Sequence, residues 1–208
     1  MNIGISEIRR LWLIDASYLF NAQSSIRRGF RFDYLRLKNV LEREAGPIWH
    51  SYYFNSVRHN GHDDQQPDRF HNWLQSAPPH GPKIITRLYG LKRTEMPHGF
   101  CADCRETINP ECPNREAGGQ AHRLEREQQK GVDVGIATTA LTLQAQYDVL
   151  LLSSGDSDLV DAINHLINNN KQFDLAVFSS GVSTELQARA TNIYWLNAWA
   201  NKIAREPR

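Results

Sequence analysis

Long apolar runs are missing from this sequence. No stretch approaches the roughly 18 apolar residues that a membrane-spanning helix requires, and mean hydropathy is −0.55, so no membrane partner is expected. The opening stretch, MNIGISEIRRLWLID, places Arg9 and Arg10 before a short apolar run that Asp15 interrupts. It therefore lacks the hydrophobic segment and cleavage site of a secretory signal. Cysteine is scarce as well: there are three, all between positions 101 and 112, an odd number that does not make a disulfide framework. Cytoplasmic residence is the resulting expectation. An excess of one charge is also absent. Lys and Arg total 24 against 23 Asp and Glu, so any surface that attracts nucleic acid has to be a local patch. No internal repeat or low-complexity tract is present, which sets aside solenoids and disordered tails.

What is present is an alternation of strand-length apolar runs with helical patterns. Leu11 to Ile14, Ile48 to Val57, Lys83 to Leu88, Tyr147 to Ser153 and Phe173 to Phe178 read as five strands, and Ile193 to Trp195 as a short edge strand. Helical spacing lies between them, over Phe32–Glu44 with Asp33 as its cap, after Pro67, from Gln129, over Leu159–Asn170, from Ser183 and over Leu196–Ile203. This order predicts an α/β fold, a parallel sheet flanked by helices on both faces. A chain of 208 residues accommodates that as a single domain, 1–208, with one interruption over 89–130.

The chemistry gathers at strand ends. Val149 to Asp161 reads VLLLSSGDSDLVD: a central-strand run, a turn, then Asp156 and Asp158 where a helical pattern starts. Two carboxylates so close repel, and one takes up a proton unless a cation or donors sit beside them. Asp15 ends the first strand, and Asp133 stands in the first turn of a later helix. Each alone reads as a helix cap or a dipole partner. Together, such positions can converge on one crevice at the carboxyl edge of a parallel sheet, where ligands bind. An oxygen-rich anionic crevice of this kind suits Mg²⁺ or Mn²⁺. Arg27, Arg28 and Arg31, interleaved with Phe30 and Phe32, form a basic loop of the composition that tracks a nucleic-acid backbone.

The interruption holds His98, Cys101, Cys104 and Cys112 in the spacing H-x2-C-x2-C-x7-C, with His122 ten residues on. Cys-x2-Cys puts two thiolates on one turn, half of a tetrahedral zinc site, and a third Cys with either His98 or His122 completes it. Three ordinary thiols or a redox-active pair are the alternatives. Bound zinc would explain how an apolar-poor insertion keeps its order, and it would offer a face for a second copy of the chain or a protein partner.

Asp15 after a strand, KGVDV at Lys130–Val134 and LLLSSGDSDL at Leu150–Leu159 together resemble the NYN domain, and within it the LabA-like (DUF88) branch of the PIN-like nucleases. The run from Phe173 to Trp195, with Ser183 and Leu186 ahead of a short apolar strand, is similar too. The resemblance implies a PIN-like, Rossmannoid sheet and a metal-dependent ribonuclease acting on single-stranded RNA. It implies Asp15, Asp133, Asp156 and Asp158 as catalytic metal ligands, with Asp158 orienting the water. Asn21, Lys130 and Ser154 would join the arginines at the substrate, and the Cys-containing segment would be a structural zinc insertion. The chain departs from the family pattern in three places. Asp15-Ala16-Ser17-Tyr18 stands for Asp-Gly-x-Asn, Thr139 stands where many relatives carry Asp, and Thr191-Asn192 replaces an acidic residue near the last strand. Fewer carboxylates leave an alternative function, a catalytically weakened RNA- or protein-binding module.

Overall fold

An apolar run buried on both faces has to be a central strand, and Leu11-Trp12-Leu13-Ile14 is one, with all four side chains excluded from solvent. The computed structural model describes residues 8–57, 68–96, 98–109 and 124–206. The first strand, β1 (Arg10–Asp15), leads into α1 (Ala16–Ala22), α2 (Tyr34–Glu44), β2 (Ile48–Val57), α3 (Arg69–Gln75) and β3 (Ile85–Gly90). Four short strands follow: β4 (Lys92–Glu95), β5 (Gly99–Phe100), β6 (Thr107–Ile108) and β7 (Glu125–Gln128). The chain then returns through α4 (Val132–Thr142), β8 (Val149–Ser153), α5 (Val160–Asn168), β9 (Gln172–Val177), α6 (Thr184–Arg189), β10 (Asn192–Trp195) and α7 (Ala200–Ile203).

Six strands make one parallel sheet in the order β10-β9-β8-β1-β2-β3. Side chains alternate across it, so each strand feeds two apolar layers. Trp12, Ile14, Leu151, Ala176 and Phe178 pack with α1, α2 and α7 on one face. Leu11, Leu13, Leu150, Leu152, Leu175 and Val177 pack with α4, α5 and α6 on the other. Fully burying each Leu or Ile stabilises the fold by about 1.5–3 kcal/mol.

The strand order reverses between β1 and β8. From β1 the chain builds outward through β2 and β3, and only after the insertion does it return to β1's other side. The carboxyl ends of these two neighbours therefore diverge into different loops, which opens a crevice there.

The expected elements are present, with shifted ends. β8 begins at Val149 rather than Tyr147, because Tyr147 leaves the ladder and its buried hydroxyl donates to the Ala140 carbonyl at 2.9 Å. α4 begins at Val132 because Gly131, at φ +88°, turns the chain into it in the left-handed region. Asp68 caps α3 and Asp33 caps α2 through their side chains. The insertion contributes two small antiparallel ladders, β4 with β7 and β5 with β6. Among the described residues, no helix is long and apolar enough to cross a membrane.

Candidate active site

Asp15 is the last residue of β1 and the cap of α1. Its Oδ1 accepts the Tyr18 amide at 3.1 Å, and its Oδ2 accepts the Ser154 hydroxyl at 3.2 Å. The residue is only 8 % exposed. Burial pushes its carboxyl above the ordinary range; the Tyr18 and Ser154 hydrogen bonds pull the other way, and the charge of Asp133 adds to the rise. Capping does not exclude metal ligation, because a carboxylate has further lone pairs after its cap bond.

Asp156 and Asp158 leave β8 through Ser154 and Gly155. Asp156 caps the short 3-10 turn Ser157–Leu159, its Oδ1 accepting the Asp158 amide at 2.9 Å. Its own amide donates to the Ser154 hydroxyl at 3.2 Å. Ser154 is fully buried and engaged by both Asp15 and Asp156, so it orients carboxylates instead of presenting its hydroxyl to substrate. Gly155 admits no side chain: a Cβ there would stand 1.8 Å from the Gly181 carbonyl oxygen. Its carbonyl accepts the Ser183 amide at 3.0 Å, which locks this turn against the loop after β9.

Asp133 arrives on α4, in the layer that also holds α5 and opposite α1. Gly131 aims the first turn of α4, and the Ser17 hydroxyl donates to Gln129 Oε1 at 2.9 Å, tying the approach to α4 against the start of α1. Burial raises the Asp133 carboxyl first, then the charges of Asp156 and Asp158 raise it further. All four aspartates are thereby linked through space, Asp15 to Asp133 and Asp133 to the other two.

Their donor chemistry fits a hard divalent cation, being all oxygen, anionic and mutually repelling. Among the described residues, however, no three His, Cys, Asp or Glu side chains stand close enough together to hold an ion. Asp15 and Asp156 each give one oxygen to a cap amide.

The other expected site residues are spread out. Arg27, Arg28 and Arg31 are exposed after α1, with the Arg27 guanidinium 5.9 Å from the Phe30 ring centroid. Asn21 and Lys130 are exposed. Cys101 and Cys104 are free thiols on the β5–β6 turn, where the Arg105 amide donates to the Cys101 carbonyl at 2.8 Å. The Cys104 amide, then the Cys104 thiol and the Asp103 amide, lower the Cys101 thiol below its ordinary range. His98 bonds through Nδ1 to the Asn109 side-chain oxygen. Cys112 and His122 lie outside the described residues. Sequence reasoning passed over Tyr18, whose hydroxyl donates to the Phe178 carbonyl at 2.8 Å and joins α1 to the end of β9. No residue spacing signals such a contact.

The NYN domain model matches residues 11–197. Among solved structures, the chain is similar to a Vibrio parahaemolyticus protein of unknown function, at 16 % identity over 95 % of this chain and 96 % of that one, with a TM-score of 0.62. At that identity the likeness shows the fold alone. A Sir2–p53 peptide–NAD+ complex aligns at 9 % identity over 94 % and 91 % of the two chains with a TM-score of 0.40, too low to carry an argument. No curated protein matches the chain.

Proposed function

The chain belongs to the NYN domain family, within the PIN-like nuclease superfamily, and on that premise we propose that it is a divalent-metal-dependent endoribonuclease of single-stranded RNA. The observation that carries this reading is the electrostatic linkage of Asp15, Asp133, Asp156 and Asp158 beside the reversal point of the sheet. Mg²⁺ or Mn²⁺ there would neutralise the scissile phosphate and make a bound water more acidic. Asp15, Asp133 and Asp156 are the residues that would hold the ion. Asp158, exposed at the mouth of the turn, would orient the attacking water. Ser154 holds one Asp15 oxygen from the protein side, and the carboxylates would have to close around the ion as it binds.

Replacing Asp156 by Asn tests this reading, since the amide keeps the cap oxygen and removes the charge. Mn²⁺-dependent cleavage of single-stranded RNA should fall to the level of the metal-free protein. Undiminished cleavage by Asp156→Asn would remove the assignment. Wild-type protein that binds RNA equally well in EDTA, and that cleaves nothing whichever divalent ion is added, is instead the binding module.

In the insertion, a structural zinc held by Cys101, Cys104, Cys112 and one of His98 or His122 completes the proposal. Support comes from the amides aimed at the Cys101 sulfur, which favour its thiolate. His98 is also held through Nδ1 by the Asn109 side chain, so its Nε2 is the nitrogen that would face a metal.

A further inference from the structure

On the α1 side of Asp15 lies an open cavity of about 800 Å³. Ala16, the residue after Asp15, lines it, as do Tyr34 and Tyr53. Burial chiefly, with the Asp15 charge among the lesser causes, pushes both phenols up, and Asp15 directly precedes the Ala16 of the cavity wall. On the α1 side, Ala16, Phe20 and Gln23 follow helical spacing, and Phe20 is 60 % exposed. On the α3 side stand Phe70 and Trp73, stacked with centroids 5.9 Å apart, and Phe70 is 39 % exposed. Large rings exposed together on a cavity wall mark an interaction surface.

Cations outnumber acids on the wall around these rings. Arg31, Arg69 and Arg205 line the cavity, and among the described residues none is paired with a carboxylate. The Arg31 guanidinium sits 5.2 Å from the Phe20 ring centroid. One acid, Asp33, lines the cavity as well, and Asp68 directly precedes Arg69; each carries the cap bonds of a helix. Asp33 accepts the Arg36 amide at 3.0 Å, and Asp68 accepts the Phe70 and His71 amides at 2.9 Å each. Arg31 and Arg205 continue into a second cavity of about 400 Å³ with Arg27, where the one acid, Glu206, is paired with Arg36.

We propose that this cavity is a nucleotide subsite, taking an unpaired base of single-stranded RNA on the Phe20 and Phe70 rings with flanking phosphates on Arg31, Arg69 and Arg205. The inference rests on the nucleic-acid reading of the neighbouring carboxylates and adds to it where the strand lies. Aromatic faces alone would suit any apolar ligand, and arginines alone any anion. Flat faces bordered by unmatched guanidinium groups suit a ligand that alternates π-surface with phosphate. A duplex keeps its bases stacked inside and cannot offer one to the cavity. A nucleotide seated here leaves its neighbouring phosphodiester beside Asp15, which gives the strand its path into the acidic crevice.

The test is fluorescence anisotropy of a short labelled single-stranded RNA in EDTA, run beside cleavage in Mn²⁺. Phe20→Leu keeps apolar area and removes the ring, and affinity should fall about tenfold. Phe20→Trp should bind as the wild type does. Arg205→Ala should lower the slope of log affinity against log salt by about one. A duplex of the same sequence should be indifferent to the Phe20 substitutions. Unchanged single-strand affinity in both Phe20→Leu and Phe70→Leu overturns the subsite, even if cleavage is intact. Phe20-dependent binding by a protein that never cleaves upholds the subsite and overturns the nuclease assignment alone.

Discussion

Asp133 stands half-buried in the first turn of α4 with the charges of Asp156 and Asp158 acting on it. Its carboxyl is raised, so the folded protein binds that proton more tightly than the unfolded chain does. The stability this group contributes is complete below the ordinary aspartate range and is lost as pH rises through the folded value. At neutral pH the charge is therefore a liability that a cation or a substitution relieves. Asp133→Asn should raise Tm at pH 7 by about 1–3 °C, a fraction of what full burial would give because solvent screens the position. The gain should vanish in acid, and Mn²⁺ should raise the Tm of the wild type more than that of the variant; differential scanning fluorimetry across pH reads both. The four aspartates were legible in the sequence because a carboxylate after a strand, or in a first helical turn, has few places to go in a parallel sheet. Their ranking by burial and charge was not legible. It depends on α4 bringing Asp133 to Asp156 and Asp158 within one layer, across a long separation in sequence, and on Ser154 holding Asp15 from 139 residues away.

The turn from β8 to α5 is the element with least room to vary. A methyl group on Gly155 would collide with the backbone of Gly181 and crowd the Tyr18 ring. Gly155→Ala should cost about 1–3 kcal/mol in urea unfolding. It should also lower cleavage, because Asp156 and Asp158 move with the turn. Expected strands of the main sheet are all present within a few residues, since continuous burial leaves a continuous apolar run. β4 and β7 escaped notice for the opposite reason. Lys92-Arg93-Thr94-Glu95 and Glu125-Arg126-Glu127-Gln128 carry no apolar residue, and pairing across them shows only in their mutual register and in the Arg93–Glu127 ion pair at 3.2 Å.

Taken whole, the molecule is a six-stranded sheet with an insertion whose short strands pair with one another and not with that sheet. The two parts should therefore respond separately to metal removal. A chelator, or Cys101→Ser, should release bound zinc and speed amide exchange over 98–109, while β1 and β8 stay protected; hydrogen-exchange mass spectrometry distinguishes the regions. The same topology sets the order of assembly during synthesis. β1 needs β8 as its second neighbour, and 134 residues separate Asp15 from Val149. At about 5–20 residues per second, that is roughly 7–27 s of translation. Through that interval Leu11-Trp12-Leu13-Ile14 presents an open, uncharged strand edge, guarded only by Arg10 and Asp15 at its ends. The strand that carries the first carboxylate is thus also the one most exposed to wrong partners before the chain is finished.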